Sequence, residues 1–217
     1  MSVHIRDSSQ LPIDPDARRR ILLGTAVTMG TVGVVATAIP FVDSMTPSAR
    51  AKAAAGPVEV DVSKLAVGDM MTVQWRGRPI WIVHRSKEEL ATLPKMVPYL
   101  VDPYSHQSQQ PPDMGNLHLQ QGIRAVNPEY LVLVGICTHL GCIPSYMPEP
   151  GSVSARWPGG FLCPCHGSQY DLSGRVLANF PAPLNLPVPP YYFETDTLIK
   201  IGVLKDGKGS EWQPNTW

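Results

Sequence analysis

Two short stretches, CTHLGC (137–142) and CPCHGS (163–168), hold all four cysteines of the chain and two of its six histidines. Each offers one thiolate and one imidazole at chelating distance, Cys137-x-His139 and Cys163-x-x-His166, on a turn whose glycine (Gly141 or Gly167) supplies backbone freedom. Hydrophobic runs precede both, so both turns leave the ends of short strands. Two neighbouring strands could then present these turns face to face. The 23 prolines and 18 glycines also suit a turn-rich β domain more than a helical one.

Three chemistries use such residues. A single zinc ion takes two cysteines and two histidines, but usually through C-x-x-C and H-x-x-x-H type spacings; it would leave Cys142 and Cys165 without a role. Two disulfides suit an exported domain and leave His139 and His166 without one. A two-iron, two-sulfide cluster, with one iron on two cysteines and the other on two histidines, uses Cys137, His139, Cys163 and His166. Cys142 and Cys165 then remain, one in each turn, and a disulfide between them is open to a domain in an oxidising compartment.

The rest of the sequence bears on which compartment that is. Residues 21–42, ILLGTAVTMGTVGVVATAIPFV, form an uncharged run of 22 positions, directly after Arg18, Arg19 and Arg20. Such a run spans a bilayer core of about 30 Å. The arginines place the N-terminus (1–20) in the cytoplasm and everything after residue 42 across the membrane. An export signal is the alternative, and A-x-A cleavage text occurs at Ala49–Ala51 and Ala51–Ala53. RRRIL (18–22) is similar to a twin-arginine signal, and Asp7, Asp14 and Asp16 argue against a mitochondrial presequence. A bacterial inner-membrane protein with a periplasmic head is expected. Residues 43–57, DSMTPSARAKAAAGP, read as a linker.

The head, 58–217, reads as mainly antiparallel β. Strands are expected at VEVDV (58–62), MTVQW (71–75), PIWIVH (79–84), YLVLVGI (130–136), GFLC (160–163) and TLIKIGVL (197–204), with a hairpin turn at RGRP (76–79). Ser86 and Glu89 form a capping box for a short helix ending before Pro94. DLSGRVL (171–177) carries a turn at Ser173 and Gly174. Glu88 and Glu89 belong to the helix start rather than to a catalytic pair, and His4, His84, His106 and His118 read as isolated structural or surface residues. Formal net charge is zero, which gives no footprint for nucleic acid. No phosphate-binding glycine loop or nucleophile elbow occurs.

CTHLGC and CPCHGSQYD resemble the two cluster-binding boxes of the Rieske iron–sulfur subunits of ubiquinol–cytochrome c reductases, and FPAPLNLPVPPY (180–191) is similar to that family's proline-rich loop. The resemblance implies a [2Fe-2S] cluster on Cys137, His139, Cys163 and His166, in a cluster-binding subdomain over about 130–190, with Cys142 paired to Cys165. It implies that Ser168 donates a hydrogen bond to a bridging sulfide and Tyr170 to the Cys137 thiolate, both raising the reduction potential. Leu140 and the segment Pro181–Ala182–Pro183 would cover the cluster, and His166, with His139 as the alternative, would meet ubiquinol. The implied activity is electron transfer from ubiquinol to cytochrome c1 with proton release, beside a cytochrome b partner in a dimeric complex. The head would swing on the linker.

Two departures stand out: Phe180 replaces a glycine frequent in the family, leaving the local turn open, and 143–162 is long and reads as a surface excursion. The Rieske subunit of another exported oxidoreductase, such as arsenite oxidase, and a zinc-stabilised binding module are the alternatives.

Overall fold

The computed structural model of the 217-residue chain describes residues 15–48, 56–107 and 109–214. Most of the expected cytoplasmic segment (1–14, with His4) and the middle of the expected linker (49–55) lie outside the described residues. The chain divides between Ala51 and Lys52 into two units.

The first unit is one helix, α1 (Pro15–Ser44), which contains the whole uncharged run. It is long and apolar enough to cross a membrane. Its threonines do not oppose that environment. Thr25, Thr28, Thr31 and Thr37 each donate to the carbonyl four residues back, on Ile21, Gly24, Val27 and Gly33. No hydroxyl among these four is left needing water.

The second unit is built from three antiparallel three-stranded sheets. In the first, β1 (Val58–Asp61) pairs with β9 (Leu198–Ile201), which pairs with β8 (Tyr191–Phe193), so both ends of the head are tied into one sheet. In the second, β2 (Met70–Trp75) and β3 (Arg78–His84) form the expected hairpin, and β4 (Tyr130–Val134) lies on the other side of β3. The turn between β2 and β3 is Arg76–Gly77, both left-handed, as two-residue hairpins of this type require. In the third, β5 (Ser145–Met147), β6 (Gly160–Leu162) and β7 (Gln169–Tyr170) lie in chain order. Ser86 and Glu89 make both bonds of the capping box ahead of the single-turn helix α2 (Lys87–Leu90), and a second turn, α3 (Leu93–Met96), restarts with Pro94 in its first turn.

Every strand expected from the sequence is present, one to four residues shorter or longer than read. β5, β7 and β8, strands of two or three residues outside the expected set, are too short to show a period of two and come from pairing alone; β6, equally short, is the one expected, as GFLC. The stretch 143–162 is a surface excursion over 149–156, which is largely exposed, but not at its ends. It supplies β5, and Trp157 near its end is 3% exposed, its indole nitrogen donating to Met147 O at 3.0 Å. A large apolar ring with a satisfied N–H makes the segment part of the packing. At Phe180 the open question also resolves. Asn179, with φ 67°, takes the left-handed step, so Phe180 needs no glycine-like backbone.

The core runs continuously from the central sheet to the two cysteine boxes: Ile80, Ile82, Leu131, Leu133, Phe161, Cys137, Cys163 and Tyr170 belong to one buried cluster. Trp81 stacks on Phe161 with centroids 5.0 Å apart. Gly135, just past β4, lies against that indole. A Cβ there would approach Trp81 Cε2 to 2.2 Å, and Trp81 is held by Phe161. Gly135→Ala is therefore expected to lower stability by about 1–3 kcal/mol, the usual range for forced overpacking. A thermal unfolding midpoint equal to that of the parent would show that the indole has room to move.

Candidate metal centre

Sheet register brings the two boxes together. β5 and β6 pair with Ser145 opposite Leu162. The chain enters β5 from CTHLGC and leaves β6 into CPCHGS, so both boxes lie at the same end of that strand pair. They also fold alike. In the first, Cys137 N donates to Cys142 O (2.7 Å) and Gly141 N to Cys137 O (3.0 Å). In the second, Cys163 N donates to Ser168 O (2.8 Å) and Gly167 N to Cys163 O (2.9 Å). Both closing glycines are left-handed, φ 81° and 75°, a conformation that strains any residue with a Cβ. One turn has thus been used twice, with a buried cysteine at its first position and glycine at its fifth.

Cys142 and Cys165 are joined by a disulfide with Cα atoms 6.6 Å apart, which ties one turn to the other. Cys137 and Cys163 remain free and buried, 1% and 2% exposed. Cys163 Sγ lies within 4.8 Å of both disulfide sulfurs. Those two are not thiolates, so this trio is no ligand set; the disulfide instead walls one side of the Cys163 thiol. The rings of His139 and His166 meet edge to face with centroids 4.8 Å apart.

The donor set fits an iron–sulfur group on two counts. His139 Nδ1 is buried with no hydrogen-bond partner, an arrangement that costs free energy unless a ligand answers it. Burial pushes the Cys163 thiol up from its ordinary pKa, and the neighbouring Cys137 pushes the same way. Such a thiol gives up its proton readily only to a metal. Two buried thiols and two adjacent imidazoles are the ligands such a cluster takes.

Tyr170 and Ser168 flank these ligand candidates. Tyr170, fully buried, has its hydroxyl 3.2 Å from Cys137 Sγ, and burial holds the phenol well above its ordinary pKa, so it is protonated and can donate. Ser168 is also fully buried, and its Oγ accepts from Ala182 N at 3.0 Å. That leaves the Ser168 hydrogen free for another acceptor. His166 is exposed, and Leu140 and Ile143 are 71% and 58% exposed. Pro181 and Pro183 are exposed on either side of buried Ala182.

Sequence reasoning missed several residues that hold this arrangement. Thr138 contacts both Tyr170 and the proline-rich loop. Arg85, Arg124 and Arg175 are at most 1% exposed and donate to carbonyls of the chain around 171–174 and 186, or to Asp171. Burial lowers the Arg85 and Arg124 pKa values to about 10, so both stay charged at neutral pH.

Comparison with known proteins places this geometry. Residues 14–48 match the family described as Ubiquitinol-cytochrome C reductase Fe-S subunit TAT signal, and residues 113–190 match the Rieske [2Fe-2S] domain. The chain is 51% identical over 187 residues to the ubiquinol-cytochrome c reductase iron-sulfur subunit of Allochromatium vinosum, covering 85% of this chain and 88% of the relative. It belongs to the ubiquinol–cytochrome c reductase iron–sulfur subunit family. The Bradyrhizobium diazoefficiens subunit of the same name is 42% identical over 190 residues, 87% of this chain and 96% of the relative. Among solved structures, a chain titled Hyperthermophilic respiratory Complex III aligns with TM-score 0.44 and 26% identity, covering 82% of this chain and 98% of that one. Membership decides against the arsenite oxidase and zinc-module alternatives, and the [2Fe-2S] cluster is the family's cofactor. The twin-arginine match and α1 fit a membrane-anchored, exported subunit.

Proposed function

We propose that this chain is the subunit that takes one electron from ubiquinol and delivers it to cytochrome c1, with Cys137, Cys163, His139 and His166 holding the cluster. The observation that carries the reading is the pairing of two free buried thiols with two edge-to-face imidazoles on turns cross-linked by a disulfide. When bound, the [2Fe-2S] group supplies one-electron redox chemistry.

The chain's own residues do the rest. His166, exposed at the surface, offers a ring nitrogen that accepts a hydrogen bond from a quinol hydroxyl and then takes its proton, with His139 its less exposed neighbour. With the group bound, Tyr170 would donate to the Cys137 thiolate and the Ser168 hydroxyl would be available to its sulfur; both bonds would favour the more negative reduced state and raise the potential. The disulfide and Leu140 keep water from the thiolates. Leu140 and Ile143 of the first box and its exit, and Pro181 and Pro183 of the proline-rich loop, are exposed apolar residues suited to docking on a cytochrome b surface and, after a swing on the 43–57 linker, on cytochrome c1. The arginines in the first turns of α1, ahead of its uncharged run, support a cytoplasmic N-terminus and a periplasmic head over 58–217; the complex would be dimeric.

The purified, reduced protein is expected to show the low-temperature EPR signal of a histidine-ligated two-iron cluster, with two irons per chain. A colourless protein carrying one zinc would end this reading.

A further inference from the structure

Four polar groups meet behind Cys137, and their hydrogens can be assigned. Thr138 Oγ1 lies 2.6 Å from Leu184 O. A carbonyl only accepts, so the threonine hydrogen is committed there. Thr138 N donates to the Tyr170 hydroxyl at 3.1 Å, which occupies a lone pair of the phenol oxygen. The one hydrogen left is that of Tyr170. It has two acceptors in reach, Cys137 Sγ and Thr138 Oγ1, both at 3.2 Å. For an oxygen acceptor that is beyond the usual O–H···O range of about 2.5–3.0 Å. For the larger sulfur it is a close contact.

We infer that Thr138 is a positioning residue: anchored by its hydroxyl on Leu184 O, it holds the Tyr170 hydroxyl so that its hydrogen points at the Cys137 sulfur. The inference rests on the functional reading above, in which that sulfur is a cluster ligand. Two features make the anchoring effective. Thr138 is 4% exposed and Tyr170 wholly buried, so no solvent competes. The loop that supplies Leu184 O is itself fixed on the other box, where Ala182 N donates to Ser168 Oγ at 3.0 Å. The proline-rich loop thereby orients a hydroxyl in each box, accepting from Thr138 and donating to Ser168. Replacing the Thr138 hydroxyl would release the turn from Leu184 O and let the phenol drift off the sulfur line. The effect must therefore pass through Tyr170.

Redox titration of the membrane-embedded protein, followed by the cluster EPR signal, tests this. Thr138→Val is expected to lower the midpoint potential, by no more than Tyr170→Phe does. Adding Thr138→Val to Tyr170→Phe is expected to shift it no further. Thr138→Ser keeps the hydroxyl and is expected to match the parent; it keeps the inference testable if the valine variant does not retain iron. An equal downward shift from valine in both tyrosine and phenylalanine backgrounds would overturn the inference, because a general loosening of the site acts with or without the phenol. So would a serine variant with a lowered potential, or a valine variant at the parent's potential. Parent protein with no cluster signal would overturn the functional reading and this inference with it, a result distinguishable from the others before any variant is made.

Discussion

Cys142→Ser or Cys165→Ser is expected to strip most of the iron from the protein as purified from an oxidising compartment. Each box is closed by hydrogen bonds onto itself, and the disulfide is the covalent tie between them, spanning a sequence separation of 23. Releasing a cross-link over a loop of that size costs about 3 kcal/mol, and the part of the structure set loose is the part that covers Cys137 and Cys163. A second effect makes the single variants worse than loss of the tie alone. The sulfurs of Cys142, Cys163 and Cys165 lie within 4.8 Å of one another. A thiol left without its partner is therefore in reach of Cys163, and the oxidants that normally close the native disulfide would join the two. That removes a ligand as well as a clamp. The double variant Cys142→Ser/Cys165→Ser lacks the competing thiol and is expected to keep more iron than either single variant. Iron per chain, with disulfide mapping by mass spectrometry, checks both statements. Full iron in the single variants would show that the turns hold without their tie, and a double variant with less iron than the singles would exclude the competing thiol.

What could be read from the residues alone differs between the ligands and their supports. Cysteine and histidine announce themselves by chemistry, so Cys137, His139, Cys163 and His166 stand out at once. The disulfide partner choice followed from family resemblance and is now seen directly. Long strands such as β3 and β4 were legible because each carries a continuous apolar run, of which four residues are buried (80–83 and 131–134). The supports were not legible, for a physical reason. Thr138, Arg124 and Arg175 act through backbone carbonyls of Leu184, Leu186, Ser173 and Leu93, and a carbonyl has no sequence signature. An arginine in GIRAV or SGRVL reads as a surface charge, because burying a guanidinium is expensive unless every donor finds an acceptor. Only the three-dimensional loop arrangement supplies acceptors, to Arg175 Nε, Nη1 and Nη2 and to both terminal nitrogens of Arg124, whose Nε stays buried without a partner. Arg124 even holds a left-handed backbone, φ 54°, which a non-glycine residue keeps only when its surroundings fix it. Trp157 escaped notice in the same way, since its partner is a backbone oxygen brought near by β5.

Asp171→Ala is expected to be among the most destabilising single changes in the head. Asp171 follows Tyr170 directly and is 1% exposed. One of its oxygens accepts from Ser173 N and Arg175 N, both at 2.9 Å, and the other from Arg175 Nε at 2.8 Å. Arg175 Nη2 completes the pair at 2.7 Å from the same carboxylate. The guanidinium then reaches on to Pro103 O and Leu93 O, so a single ion pair pins three separate chain segments. Alanine would leave a buried cation uncompensated, a change worth about 3–5 kcal/mol. For a domain of this size that corresponds to a fall of roughly 10 °C in the unfolding midpoint. Asp171→Asn retains a carbonyl acceptor but not the charge, so it is expected to fall between alanine and the parent. The exposed pair of Glu59 and Lys200 provides the contrast: Lys200→Ala should leave the midpoint almost unmoved, since solvent screens it. Thermal unfolding of the full chain in detergent ranks the three. If Asp171→Ala melted with Lys200→Ala, the Arg175 donors would have to be satisfied by the Pro103 and Leu93 carbonyls alone. If it melts far below, as expected, iron loss on heating should follow the same order, because the segment that Asp171 anchors begins at the tyrosine behind Cys137.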